Sequence, residues 1–263
     1  VMSISRRTIL SGIAASGLLA PVVASAAGAD PAPAQAPAAA QKDKKILFVL
    51  TSCNKIPETD NPTGYFYSEV SHPWKVLTDA GYEIDFVTPK GGEPTAEGFD
   101  PKDPVNMEFK NNAQYQAKLA NTLKPAEVVP SDYCGMYYAG GHGAMWDLPN
   151  NSELQNICGT IYTNGGVIGA VCHGPAGLVN VKLPKGQYLV SGKNVNCFTN
   201  SEEDAVGMSN VVPFALETAI RDRGGIFQRS DNFQSHVVTN DRLVTCQNPA
   251  SAACVGYGML SCM

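Results

Sequence analysis

The sequence predicts a three-layer α/β sandwich with a mostly parallel central sheet. Two observations carry that prediction. Short apolar, β-branched runs recur at residues 45–51, 83–88, 136–139 and 165–171, as expected of strands buried on both faces. Stretches with helical spacing separate them, so the order reads β-α-β-α-β-α-β-α, and right-handed parallel crossovers follow from it. A third observation predicts where chemistry sits: Cys172 lies between the last of these strands and Gly174-Pro175, a place suited to a nucleophile elbow.

The chain has 263 residues, 44% of them hydrophobic and 16% charged, enough for one large domain. Its net charge is -5 and no stretch concentrates Lys and Arg, which argues against nucleic acid as a partner. Residues 1–26 read as a twin-arginine (Tat) signal peptide. Arg6-Arg7 precedes an apolar run over residues 9–23, and Ala24-Ser25-Ala26 offers a cleavage site. The expected destination is the periplasm or outside, with no membrane contact after cleavage. Residues 27–43 form an Ala/Pro-rich linker that cannot build a core. Residues 44–263 are expected to be the catalytic domain.

Residues 45–51 open the sheet. Residues 64–80 have helical spacing (Phe66, Val70, Trp74, Leu77), ended by Gly81. Residues 83–88 make the second strand. Residues 107–123 read as a helix. Residues 136–139 form a short strand ending at Gly140-Gly141-His142-Gly143, followed by a helix over residues 151–162. After Cys172, residues 183–198 carry strand-like pieces and residues 211–223 a helix. Residues 236–239 and 242–245 form a hairpin around Asn240-Asp241. A last helix starts at Asn248-Pro249.

In an open α/β sheet, chemistry gathers beyond the carboxyl ends of the strands. Three features fall there: Cys172-His173, the glycine loop 140–143, and the helix bearing Glu69. A helix opening after Cys172 would favour its thiolate, although a buried structural Cys also suits such a turn. His173 is the candidate base, oriented by an acid among Glu202, Glu203 and Asp204, which equally suit a solvated helix start. Glu69, on a helix lined with aromatics, is a candidate proton shuttle with a pKa raised by burial. Backbone N–H groups near Gly141 and His173 are candidate oxyanion donors. Glu69 and His72 at i, i+3 make a weak metal pair, and no metal is expected. Of the eight cysteines, Cys246 and Cys254 are candidates to pair.

Five ordered motifs now combine: residues 170–175 (Ala-Val-Cys-His-Gly-Pro), the Gly-Gly-His-Gly loop, Gly64-x-Phe66-x-x-Glu69-x-x-His72-Pro73, Phe198-Thr199-x-x-Glu202-Glu203, and residues 241–251. Together they resemble the ThiJ/PfpI superfamily, which has a flavodoxin-like sandwich shared with class I glutamine amidotransferases. They are most similar to its glyoxalase III branch, also described as D-lactate dehydratases and heat-shock chaperones. The resemblance implies Cys172 as nucleophile, His173 as its partner and Glu69 as the carboxyl near sulfur. It places the third acid on Glu203, with Glu202 the one-residue alternative, and gives Gly141 and His142 to oxyanion or substrate binding. It implies conversion of methylglyoxal or a related 2-oxoaldehyde to a 2-hydroxy acid, D-lactate, through a Cys172 hemithioacetal, without cofactor, as part of a stress response. A small aldehyde is the expected partner, with a homodimer left open. The rival readings are a cysteine hydrolase or hydratase on the same residues, and a stress chaperone or deglycase. Cys53 and Cys197 are candidates to trap Cys172 as a disulfide.

Overall fold

The computed structural model describes residues 45–263 except 58 and 60. The proposed signal and linker therefore lie outside the described residues. In chain order the elements are β1 (Lys45–Val49), β2 (Tyr65–Phe66), α1 (Ser68–Asp79), β3 (Glu83–Val87), β4 (Ala96–Glu97), α2 (Pro104–Asn111), α3 (Ala113–Ala120) and β5 (Tyr133–Tyr138). Then follow α4 (Ala144–Asp147), α5 (Ser152–Thr163), β6 (Val167–Val171), β7 (Asn194–Val195), α6 (Asn200–Ala205) and α7 (Leu216–Asp222). The chain closes with β8 (Ile226–Phe227), β9 (Val237–Asn240), β10 (Leu243–Cys246) and α8 (Ala252–Cys262).

Six strands form the central sheet in the order β3-β1-β5-β6-β10-β9. The first five are parallel and β9 is an antiparallel edge. This is the flavodoxin-like winding, in which strand order reverses beside β1. Alternation along each strand divides the core in two. Leu47, Val49, Met136, Tyr138 and Ile168 face one layer, with α5 residues Leu154, Ile157 and Ile161. Ile46, Phe48, Ile84, Phe86 and Tyr137 face the other, with Trp74 and Leu77 of α1 and Val255 of α8. The predicted three-layer sandwich is the fold observed.

Four local expectations change, each for a physical reason. The helix expected from residue 64 starts at Ser68, because Tyr65 and Phe66 donate their N–H groups to Thr95 and Gly140 instead. Gly64 sits so close to that partner that a Cβ would lie 2.0 Å from the Thr95 carbonyl oxygen. The helix expected over residues 107–123 breaks at Asn112, whose extended backbone and side chain cap α3. The helix expected from 211 begins only at Leu216, after Pro213, which disfavours helical backbone in the residue before it. Between residues 183 and 198 turns prevail, with Asn194–Val195 the one strand in that stretch.

Candidate active site

β6 ends in Val171, and the next residue turns sharply. Cys172 has φ +57°, a left-handed backbone that is costly for a side chain with a Cβ. Three contacts hold it there. Its N–H donates to the Cys246 carbonyl at 2.9 Å, its carbonyl accepts the Phe198 N–H at 2.8 Å, and Gly174 packs where a Cβ would lie 2.2 Å from the Tyr138 carbonyl oxygen. The turn that follows, Gly174–Leu178, is a short 3-10 turn. The expected helix N-terminus behind the sulfur is therefore missing. Burial and the nearby Glu69 carboxyl push the thiol well above its ordinary pKa, while the backbone N–H groups of His173 and Gly141 beside the sulfur pull it back part of the way. The resting sulfur is a thiol that needs a base.

A candidate base stands beside it. His173 Nδ1 lies 3.3 Å from the Cys172 sulfur, and its Nε2 lies 2.7 Å from Glu203 Oε2. The other carboxylate oxygen of Glu203 is 2.7 Å from His142 Nε2. Burial works to raise the Glu203 pKa, but the bonds from both imidazoles outweigh it and bring it to about 2. A carboxylate there accepts N–H from each ring, which leaves the His173 Nδ1 lone pair facing the thiol. Desolvation lowers the His173 pKa, with His142 adding to it and Glu203 opposing. The two imidazoles pack at a tilt of 40° with centroids 4.1 Å apart.

Glu202 and Glu203 have different partners. Glu202 is buried and accepts five hydrogen bonds, from Thr199 N and Oγ1, Phe233 N, Gln247 Nε2 and Asn248 Nδ2. It closes a capping box with Thr199 that starts α6. One residue later on the helix, Glu203 turns to the histidines.

Glu69 approaches the sulfur from the opposite side. It is fully buried on α1, and its Oε2 accepts the Gly140 N–H at 2.7 Å. Oε1 has no partner among the hydrogen bonds of the structure, and the Cys172 thiol lies beside this carboxyl. Burial raises the Glu69 pKa to about 8, although the thiol and the Gly140 N–H lower it in part. The glycine loop makes this approach feasible. A Cβ on Gly140 would lie 2.5 Å from Glu69 Oε2, and a Cβ on Gly141, which has φ +97°, would lie 2.3 Å from the Gly64 carbonyl oxygen.

A cavity of about 310 Å³ opens onto the sulfur. Gly141, His142, His173 and Glu97 line its polar end; Phe66, Phe198, Val206, Phe233 and Pro249 line the apolar remainder. Glu97 accepts the His142 N–H at 3.2 Å, and burial raises its pKa. Glu97 and Phe233 were not foreseen from sequence. Glu97 lies in the two-residue strand β4 and Phe233 in a loop, and no local pattern reveals where either stands against the central sheet. His72, by contrast, points away from Glu69 and pairs with Asp103 at 2.7 Å. His142, His173 and Glu203 bring one ligand atom each within 4.8 Å of one another, a set that can hold a metal ion. Both Nε2 atoms and both carboxylate oxygens are nevertheless satisfied by their mutual hydrogen bonds.

The cysteines expected to cross-link are separate thiols. Cys246 and Cys254 are free, as are Cys53, Cys197 and Cys172. The Cys53 and Cys197 sulfurs bond the carbonyl oxygens of Lys55 and Phe198, each at 3.2 Å.

The chain is similar to known proteins over most of its length. A glyoxalase 3 of Candida albicans is 33% identical over 79% of this chain and 93% of its own length. A glutathione-independent glyoxalase of Saccharomyces cerevisiae is 35% identical over 80% and 93%. Among solved structures, the glyoxalase III of C. albicans superposes with a TM-score of 0.78 at 31% identity, covering 84% of this chain and 98% of that one. The 24 kDa rapid encystment protein of Francisella tularensis reaches 0.80 at 34% identity, covering 83% and 98%. The DJ-1/PfpI family model matches residues 63–256, and the chain belongs to the DJ-1/PfpI family.

Proposed function

We propose that this protein is a glutathione-independent glyoxalase that converts methylglyoxal or a related 2-oxoaldehyde to a 2-hydroxy acid. One observation carries the reading: the sulfur sits between a base and an acid. His173, kept neutral with Nδ1 toward the thiol, takes a proton. Glu69, with a pKa of about 8, carries one at neutral pH.

In the first step the thiol proton passes to His173 as sulfur bonds to the aldehyde carbon C1. Glu69 protonates the aldehyde oxygen, giving a hemithioacetal, while the N–H groups of Gly141 and His173 hold the developing charge. The Glu69 carboxylate then removes the C1 proton and His173 returns a proton to the C2 oxygen, giving an enediol. Glu69 delivers a proton to C2 as His173 takes one from the C1 hydroxyl, leaving a 2-hydroxyacyl thioester. Water attacks C1 as the Glu69 carboxylate takes one of its protons, the C–S bond breaks, and the released thiolate regains its proton from His173, which restores both groups. C1 is oxidised and C2 reduced, so the sum is aldehyde plus water to hydroxy acid with no external redox partner. Glu203 supports the imidazolium, and His142 fixes its second oxygen.

A cysteine hydrolase needs the thiol, the imidazole and the oxyanion donors. It has no use for a protonated carboxyl against the sulfur, and Glu69 therefore favours the glyoxalase. The test is lactate formation from methylglyoxal by purified protein without glutathione. Retained activity in Cys172→Ala would reject the mechanism.

We further infer that residues 1–26 direct Tat export to the periplasm, where the enzyme would meet aldehydes during envelope stress. The support is the order of Arg6-Arg7, apolar run and small-residue site. Fractionation of cells expressing the full chain, with and without Arg6→Lys/Arg7→Lys, tests it. Equal periplasmic yield from both would reject it.

A further inference from the structure

The apolar end of the active-site cavity has no task in the chemistry above. Yet the chain commits much to building this end. Phe233 has φ +61°, an outlier for a bulky side chain. Its loop is pinned to α6 in three ways: the Phe233 N–H donates to Glu202 Oε1 at 2.8 Å, Asn232 Nδ2 donates to the Ser201 carbonyl at 3.1 Å, and Ser201 Oγ donates to Asn232 Oδ1 at 2.6 Å. The fixed ring still remains 47% exposed, and Val206 is 45% exposed. Both residues line the cavity. Inside it, Phe198 packs between the Phe233 ring, at 6.3 Å, and the His173 ring, at 4.6 Å. An apolar wall therefore runs from the base to the rim.

Strain held in place by a buried carboxylate, and spent on keeping an aromatic ring partly in water, points to a ligand that covers the ring. A cavity of about 310 Å³ also belongs with ligands larger than three carbons. We propose that the site is built for 2-oxoaldehydes with a bulky apolar substituent, aryl or branched alkyl, with Phe233 and Val206 as specificity-determining residues. The substituent lies along Phe198 toward Phe233, and the dicarbonyl lies at the Cys172 end. This rests on the glyoxalase reading and narrows its substrate class.

The experiment compares phenylglyoxal with methylglyoxal, following mandelate and lactate by chromatography. Wild-type protein is expected to show a kcat/KM for phenylglyoxal at least about tenfold above that for methylglyoxal. Phe233→Ala is expected to cut that ratio by about fivefold or more, chiefly through KM for phenylglyoxal, and Phe233→Leu to retain most of it. Val206→Ser, on an ordinary backbone, is expected to lower the ratio in the same direction, which guards against a folding defect at residue 233. A wild-type ratio at or below one overturns the proposal. So does an equal loss on both aldehydes in Phe233→Ala. A ratio untouched by either substitution, with altered suppression of client aggregation instead, assigns the rim to polypeptide and also overturns it. Lactate without a preference for phenylglyoxal rejects only the substrate class. No hydroxy acid from either aldehyde rejects the glyoxalase reading itself.

Discussion

Two carboxyls serve the Cys172 site, one beside the sulfur and one behind the His173 ring, and the structure drives them in opposite directions. Glu69 on α1 has a single N–H donor on one oxygen and none on the other, and burial raises its pKa to about 8. Glu203 on α6 is also largely buried, but each oxygen faces an imidazole, and its pKa drops to about 2. Burial alone does not set the charge of an acid; the number of donors around it does. The difference divides the labour, one acid storing a proton and the other storing a charge.

Removing the sulfur has the largest expected effect. Cys172→Ala should lower lactate formation by about four orders of magnitude or more, because every covalent step passes through it. Next comes the charged acid. Glu203→Gln should cost about two to three orders of magnitude in kcat, since an amide no longer fixes the His173 tautomer or supports its imidazolium. The proton-storing acid should respond in two ways. Glu69→Gln should lose about 10²-fold in rate and yet gain stability. The folded protein keeps this carboxyl protonated up to about pH 8, whereas the unfolded chain ionises it near pH 4.5. Stability is therefore fully present below pH 4.5 and drains away as pH rises toward 8. Gln removes that loss, about 3 kcal/mol at pH 7, and denaturant titration of both proteins reads the difference. A destabilised Glu69→Gln would mean that the carboxyl is ionised and paired. The smallest effect belongs to His142→Ala, which frees one oxygen of Glu203 and should slow turnover about tenfold or less.

The comparison also shows what could be read from residues alone. The sheet and its winding were legible because buried parallel strands are nearly continuous apolar runs, as at residues 46–50 and 167–171. Cys172, His173 and Glu69 were expected together from their places at strand ends, and the structure brings them into one cluster; the aromatic setting of Glu69 already implied a raised pKa. The charge of Glu203 was not. Glu202 and Glu203 are adjacent identical residues, and their roles separate only when the capping box of α6 takes one and the glycine loop brings His142 to the other. The thiolate expectation failed for a related reason. Sequence shows a Pro near a helix start, but only the folded turn reveals a 3-10 segment too short to supply a dipole. Phe233 was hidden because its position depends on long-range bonds to Glu202 and Ser201.

The most direct test of the central claim is the pH dependence of kcat/KM for lactate formation without glutathione. An enzyme whose Glu69 must be protonated is predicted to lose activity as pH rises through about 8, and Glu69→Gln should flatten that alkaline limb at a low rate. A rate that instead climbs through pH 8 to 9, as for an enzyme waiting on its thiolate, would contradict the account.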